Sequence, residues 1–284
     1  MFIGPTFTAF AVFSYYVTFQ SFFYSFFSFD FGNPPGRFVF LENYAAVVTQ
    51  IEFWQSVWRT VQLFLLGTVF GFWVPIAQAL IINELLRGKS VFRYLYVLPA
   101  AMPSVASMTV WLYIWNPEYG IANQIVGAFG LGPYKWLQDE GQVLFSLRIG
   151  GILGGGLGIL IYLVSINNIS PELYEAAKID GASAFKRMYA ITLPNIFNMI
   201  KLQFLLSLTS ALLTFDDVLI MTNGGPGKSS TTVVMNIYKT AFSYMNFGGA
   251  MAMCVLLLFM TLIFVVLQLV LTRERAGGGG KAAV

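Results

Sequence analysis

The sequence predicts an all-α, polytopic membrane protein with six transmembrane helices, and three observations carry that prediction. Of its 284 residues, 57% are hydrophobic and only 10% charged, with a mean hydropathy of +0.71. A soluble domain carries about 25% charged residues and needs them to cover its surface. Charge-free apolar runs recur along the chain, each near the ~20 residues that cross ~30 Å of hydrocarbon as a helix. The short alternating segments of a transmembrane barrel are missing from the sequence.

The first span lies within Phe2–Phe27, rich in Phe and Tyr. Met1–Phe29 has no basic n-region and is too long for the apolar core of a signal peptide, so it reads as a span. The second is the run Thr60–Asn83, with Arg59 just outside, where it can snorkel to the interface. The third, Tyr94–Trp115, contains Pro99 and Pro103, tolerated where neighbouring helices or cavity water satisfy the freed carbonyls. The fourth, Ile149–Asn168, carries Gly150, Gly151, Gly154, Gly155, Gly156 and Gly158. Pairs at i and i+4 let helix backbones approach closely; tight packing and a helix that slides or flexes both fit. The fifth runs from Leu202 to Met221 and the sixth from Phe247 to Leu271.

Ten of the 16 Lys and Arg residues fall on one side of this arrangement: Arg87, Lys89, Arg93, Lys178, Lys186, Arg187, Lys201, Arg273, Arg275 and Lys281. Arg37, Arg59, Lys135, Arg148, Lys228 and Lys239 fall on the other. The basic loops are the short ones, so the positive-inside rule places both termini in the cytoplasm. No Lys or Arg precedes Arg37, and a basic segment is expected ahead of this sequence. The outer loops are longer. Residues 29–56 contain the turn signal Gly32-Asn33-Pro34-Pro35-Gly36. Residues 118–144 carry Gly130, Gly132-Pro133 and Trp136 and have room for a short interfacial helix, and 223–246 open on Gly224-Gly225-Pro226-Gly227. One transmembrane domain, 1–276, is followed by a flexible glycine-rich tail, 277–284.

Residue types exclude several chemistries. With no histidine in the chain, His-based metal sites and Ser-His-Asp triads are out. The single Cys254 lies in an apolar run, cannot form an intrachain disulfide and reads as a buried thiol. Gly225-Pro226-Gly227-Lys228-Ser229-Ser230 imitates the end of a phosphate-binding loop, but the required first glycine is Thr222, and a membrane span precedes it instead of a strand. No cofactor or metal is therefore expected in this chain, and any ATP is hydrolysed by a partner. Asp216 and Asp217 lie in the outer part of span five. Paired carboxylates at membrane depth can carry protons or cations or touch a solute; a hydrated interfacial position fits them too. Together with Thr214 and Asn223 they form the candidate substrate pathway. Aromatics, 17% of the chain, supply interface belts and packing. Some could stack on a sugar ring, but their spacing singles none out.

Between spans four and five lies a polar island, Ser170–Pro194, with six of the chain's charged residues. Ser170 can cap a helix that begins at Pro171. Glu172 and Glu175 suit the positive end of its dipole. The helix can reach Asp180, and Gly181 supplies the turn. Ser183 can cap a second helix, Ala184–Thr192, which Leu193-Pro194 ends. Small residues Ala176, Ala177 and Ala182 allow another surface to approach, and Glu175 and Asp180 offer it charge. A contact surface and an amphipathic loop on the lipid headgroups are both open on these grounds.

Glu175-Ala176-Ala177, Gly181 and Ile191-x-Leu193-Pro194 reproduce the spacing of the EAA motif. The chain resembles the permeases of binding-protein-dependent ABC importers, the sugar type similar to the maltose system. Leu41-Glu42-Asn43-Tyr44, Gly120-Ile121-Ala122-Asn123, Trp136-Leu137, Phe215-Asp216, Thr222-Asn223-Gly224-Gly225-Pro226, Tyr238 and Ala241-Phe242 agree with it as well. The resemblance implies a Type I importer permease fold in a bacterial-type inner membrane, forming half of a pore for a sugar or oligosaccharide. It implies a second homologous permease, two ATPase subunits that hold ATP and Mg, and an extracytoplasmic solute-binding protein, with no role for nucleic acid. The EAA loop, 169–198, would dock in an ATPase cleft, with Glu175 paired to a basic group there. Importers of glycerol phosphate and ion-coupled transporters using Asp216 and Asp217 are the rival readings. No Lys or Arg lies inside the predicted spans, which favours a neutral solute.

Overall fold

A computed structural model describes residues 3–30, 36–84, 88–152 and 156–276. Gly32–Pro35, Arg87, Gly154, Gly155, Lys281 and the tail 277–284 lie outside them. The described chain is predominantly helical, and its extended pairing is limited to two isolated bridges, Phe27 with Phe38 and Asp30 with Asn246.

Among the described residues, three helices are long and apolar enough to cross a membrane: Ile51–Glu84, Ala184–Leu212 and the one beginning at Phe247, whose apolar stretch reaches Leu267. Predicted spans two, five and six fall on them. Hydropathy places their ends poorly, because a helix continues past its apolar stretch wherever backbone bonding and packing continue. Ile51–Glu84 starts well before Thr60, so Arg59 lies inside it. Ala184–Leu212 starts within the polar island and stops short of Asp216 and Asp217, which open a separate helix, Asp216–Met221.

Predicted span three is broken into Lys89–Val97, a 3-10 turn Leu98–Ala101 and Ser104–Ile114. Pro99 and Pro103 lack the N–H that a continuous helix needs. Predicted span four, Ile149–Asn168, falls on the end of Val143–Ile152 and on Gly156–Asn167. Residues 3–24 are helical, with a π-helical segment Ala11–Tyr16, and the loop helix expected in 118–144 is Ile121–Ala128.

Pro194 corrects the expected end of the second island helix. Ala184–Arg187 passes through the π-helical Met188–Thr192 into Leu193–Leu212 without a break. A proline ring clashes with the carbonyl four residues back in an α-helix. The wider π turn relieves that clash, so the helix continues.

The described residues form two compact units. One is built from described residues within 1–60, 212–215 and 231–276. Its core gathers Val47, Phe53, Val233, Ala252, Met253 and Leu257. Asn43 donates to the Ser25 and Phe27 carbonyls at 2.7 and 2.9 Å, and the Tyr44 and Ser25 hydroxyls meet at 2.6 Å. The Leu41–Tyr44 motif thus pins the end of the first helix. Cys254 is half-buried, not fully buried as expected. The other unit comprises 61–211 and 216–230. Its core packs Ile76, Ala79 and Ile82 against Ile159, Tyr162, Leu163 and Ile166, with Ile196 and Ile200 from the helix after the polar island.

Candidate functional site

The polar island folds as a helix, a tight turn and the start of a long helix. Pro171–Ile179 begins with Ser170 in the cap position, but the Ser170 side chain makes no capping bond. Glu172 lies in the first turn and Lys178 in the last, each matched to the dipole. Asp180 is the C-cap residue, and Gly181 follows at φ +70°. The Gly181 N–H donates to the Lys178 carbonyl at 3.1 Å and the Ala182 N–H to the Ala177 carbonyl at 2.9 Å. These are the two bonds of a Schellman motif. The Ser183 hydroxyl then accepts from the Lys186 N–H at 3.3 Å and starts the next helix.

Three contacts hold this turn. Arg187 donates to the Ala182 carbonyl at 2.8 Å and pairs with Glu84, at the end of Ile51–Glu84, at 3.1 Å. The Tyr174 and Thr192 hydroxyls meet at 2.9 Å, with Thr192 buried. Ile191 and Leu193 pack on the core, while Pro194 remains exposed. The opposite face is open. Glu175, Ala176 and Asp180 are exposed and Ala177 and Ala182 half-buried. Ile179 is 87% exposed, and Leu173, Phe185 and Tyr189 are exposed as well. A cleft of about 410 Å³ between Asn167, Tyr174, Glu175, Lys178 and Arg187 adjoins this face. Exposed apolar side chains on a braced, charged segment make a surface for contact. Arg187, Tyr174 and Glu84 were not predicted; each works through a partner remote in sequence.

The four pathway candidates differ in setting. Thr214 is buried in the first unit, its carbonyl accepting from the Thr232 hydroxyl at 2.8 Å. In the second unit Asp216 is exposed, and Asn223 is exposed at φ +49°. Asp217 lies 3.9 Å from the Arg148 guanidinium, and both side chains are 22% exposed. Arg148 also donates from Nε to the Leu63 carbonyl at 3.1 Å. Arg148 was expected in a loop; it lies inside Val143–Ile152 and reaches the middle of Ile51–Glu84.

Two further segments carry motifs named above. The Asn123 side chain donates to the Pro117 and Tyr134 carbonyls and accepts from the Tyr134 N–H and the Trp136 indole, at 2.9–3.1 Å. This ties Gly120–Asn123 to Trp136. Thr222 and Ser230 share a hydroxyl contact of 2.8 Å, and Ser230 and Ser229 donate to the Gly225 and Pro226 carbonyls. The stretch resembling a phosphate-binding loop thus spends its hydroxyls on its own backbone. Pro117 from the first network and Thr222, Gly225 and Pro226 from the second line another cleft, of about 640 Å³, together with the end of Ser104–Ile114. Among the described residues, no cluster of side chains suits a metal ion.

Similarity to characterised proteins agrees with this architecture. The trehalose/maltose transport system permease protein MalF of Thermococcus litoralis is 32% identical over 85% of this chain and 82% of its own length. The sn-glycerol-3-phosphate transport system permease protein UgpA of Escherichia coli O157:H7 is 28% identical over 82% of this chain and 79% of its own. Among solved structures, a chain of a bacterial ABC transporter involved in the import of the acidic polysaccharide alginate superposes with a TM-score of 0.83 at 22% identity, covering 95% of this chain and 93% of that one. The family described as "Binding-protein-dependent transport system inner membrane component" matches residues 67–276, a stretch that contains the whole polar island and its brace. This chain belongs to that family of ABC importer permeases.

Proposed function

We propose that this chain forms half of the translocation path of an ATP-driven importer for a sugar or oligosaccharide, and that residues 169–198 couple it to an ATPase subunit. In this reading it spans the inner membrane six times as one permease domain, 1–276, with both termini and the polar island in the cytoplasm. It pairs with a second, homologous permease. Two ATPase subunits beneath bind ATP and Mg and perform the hydrolysis, and an outer solute-binding protein delivers the sugar.

The observation that carries the coupling role is the braced turn at Gly181, clamped by Arg187 to Glu84. It presents Glu175, Ala176 and Asp180 on an open face. ATP can bias a transporter only through contacts that differ between two states. A stiff joint fixed to a long helix transmits such a bias, whereas a loose loop absorbs it.

Relatives named for trehalose/maltose transport and for alginate import support a sugar. Relatives named for sn-glycerol-3-phosphate support the phosphate reading. The ion-coupled reading loses support because Asp217 has Arg148 beside it as a counter-charge. Purification of the intact complex, followed by binding-protein-dependent ATPase stimulation with neutral saccharides and sn-glycerol 3-phosphate, decides among them. Recovery without ATPase subunits, or uptake without ATP, would overturn the proposal.

A further inference from the structure

We propose that the cleft flanked by Tyr113, Tyr119 and Gln138 is a subsite for an uncharged saccharide ring; this rests on the sugar reading above. Three segments distant in sequence meet there: the end of Ser104–Ile114 and the turn after it, Leu137–Gln138, and the loop from Met221 to Pro226. The volume, about 640 Å³, lies in the range of small-molecule sites, ~300–1,000 Å³. Tyr113 and Tyr119 are 56% and 53% exposed, with ring centroids 5.4 Å apart and planes inclined at 45°. Such a pair offers two apolar faces with polar edges, which suits a ring that carries C–H faces and hydroxyl edges.

The polar groups fit the same ligand. The Asn116 side-chain carbonyl accepts from the Glu118 and Tyr119 N–H groups at 2.9 and 3.2 Å and so fixes the turn that carries Tyr119. Its amide N–H groups, with the exposed Gln138 amide, can serve hydroxyls. Among the described residues that line the cleft, none is Asp, Glu, Lys or Arg, so an anionic solute would find no charged partner there. The tyrosines that spacing could not single out are thus selected by where the chain brings them.

The test uses the assembled importer with its binding protein in proteoliposomes. Neutral mono-, di- and trisaccharides and sn-glycerol 3-phosphate are first compared as stimulants of ATPase activity. If no saccharide stimulates, the sugar reading fails and the subsite with it. With a saccharide that does, Tyr113→Ala and Tyr119→Ala should each raise the KM for uptake about two- to tenfold, the range set by losing one aromatic contact. Tyr113→Phe and Tyr119→Phe keep the ring face and should largely restore it. Gln138→Leu, a change at an exposed side chain, should raise KM as well and serves if an alanine variant does not assemble. Wild-type KM in these variants overturns the subsite and leaves the sugar reading standing. An equal loss of affinity for the sugar-free binding protein also overturns it, since the cleft would then be a protein-docking surface.

Discussion

Replacing Gly181 by alanine changes a backbone requirement and no contact. The residue sits at φ +70°, and a Cβ built there meets nothing within 4 Å. Its cost is therefore that of left-handed backbone for an L-residue, about 1–2 kcal/mol, with no clash added. At ~1.4 kcal/mol per factor of ten, the bent conformer loses about five- to thirtyfold against its alternatives. Asparagine visits this region more readily and should cost less than alanine. Proline cannot reach a positive φ and also removes the N–H that bonds to Lys178, for about 3 kcal/mol or more. Transport per ATP hydrolysed should thus fall in the order Gly, Asn, Ala, Pro. The assay is sugar uptake and ATPase activity in the reconstituted importer, with retention of the ATPase subunits measured on the same preparations. The proline variant should insert and yet be uncoupled. An asparagine variant worse than alanine would refute the reasoning, because side-chain bulk at a docking face would then govern. A proline variant that transports normally and keeps its ATPase subunits would remove the coupling role altogether.

Other outcomes follow from the same geometry. Arg148→Met leaves Asp217 half-buried without its counter-charge and should lower the melting temperature of the purified complex, for a cost of about 1–3 kcal/mol; adding Asp217→Asn should recover most of it, since losing both charges together is tolerated far better. Asn123→Ala removes four hydrogen bonds around Pro117, Tyr134 and Trp136, and protease nicking or amide exchange within 116–136 should rise. Gly248→Ala places a Cβ 2.6 Å from the Phe27 carbonyl and 3.1 Å from Asn43 Nδ2, so it should destabilise the complex in a melt, whereas Gly4→Ala, with open space around it, should not.

The apolar runs and the polar island were legible in the sequence because their causes are local. Charge cannot be scattered through hydrocarbon, and a helix that ends on Gly181 needs only its own last carbonyls to close the turn. The Schellman bonds at Ala177 and Lys178 follow from that one glycine. Ser183 as a cap is equally local and is found as expected. Ser170 shows the limit of such reading, since the cap position is right and its side-chain bond is absent.

What the sequence by itself determined was the membrane class, the island between spans and the EAA spacing, each read from neighbours within a few turns. What only the tertiary structure decided were relations between residues far apart in the chain. Pro194 stays inside a helix because a π turn widens ahead of it and Ile196 and Ile200 are held in the core. Arg148 lies inside a helix because Leu63 and Asp217 provide an acceptor and a counter-charge there. The brace of Arg187 on Glu84 spans 103 positions, and the tyrosine cleft gathers three separate segments. Local periodicity reports which face of a helix is apolar; which side chain that face will meet depends on packing over the whole unit.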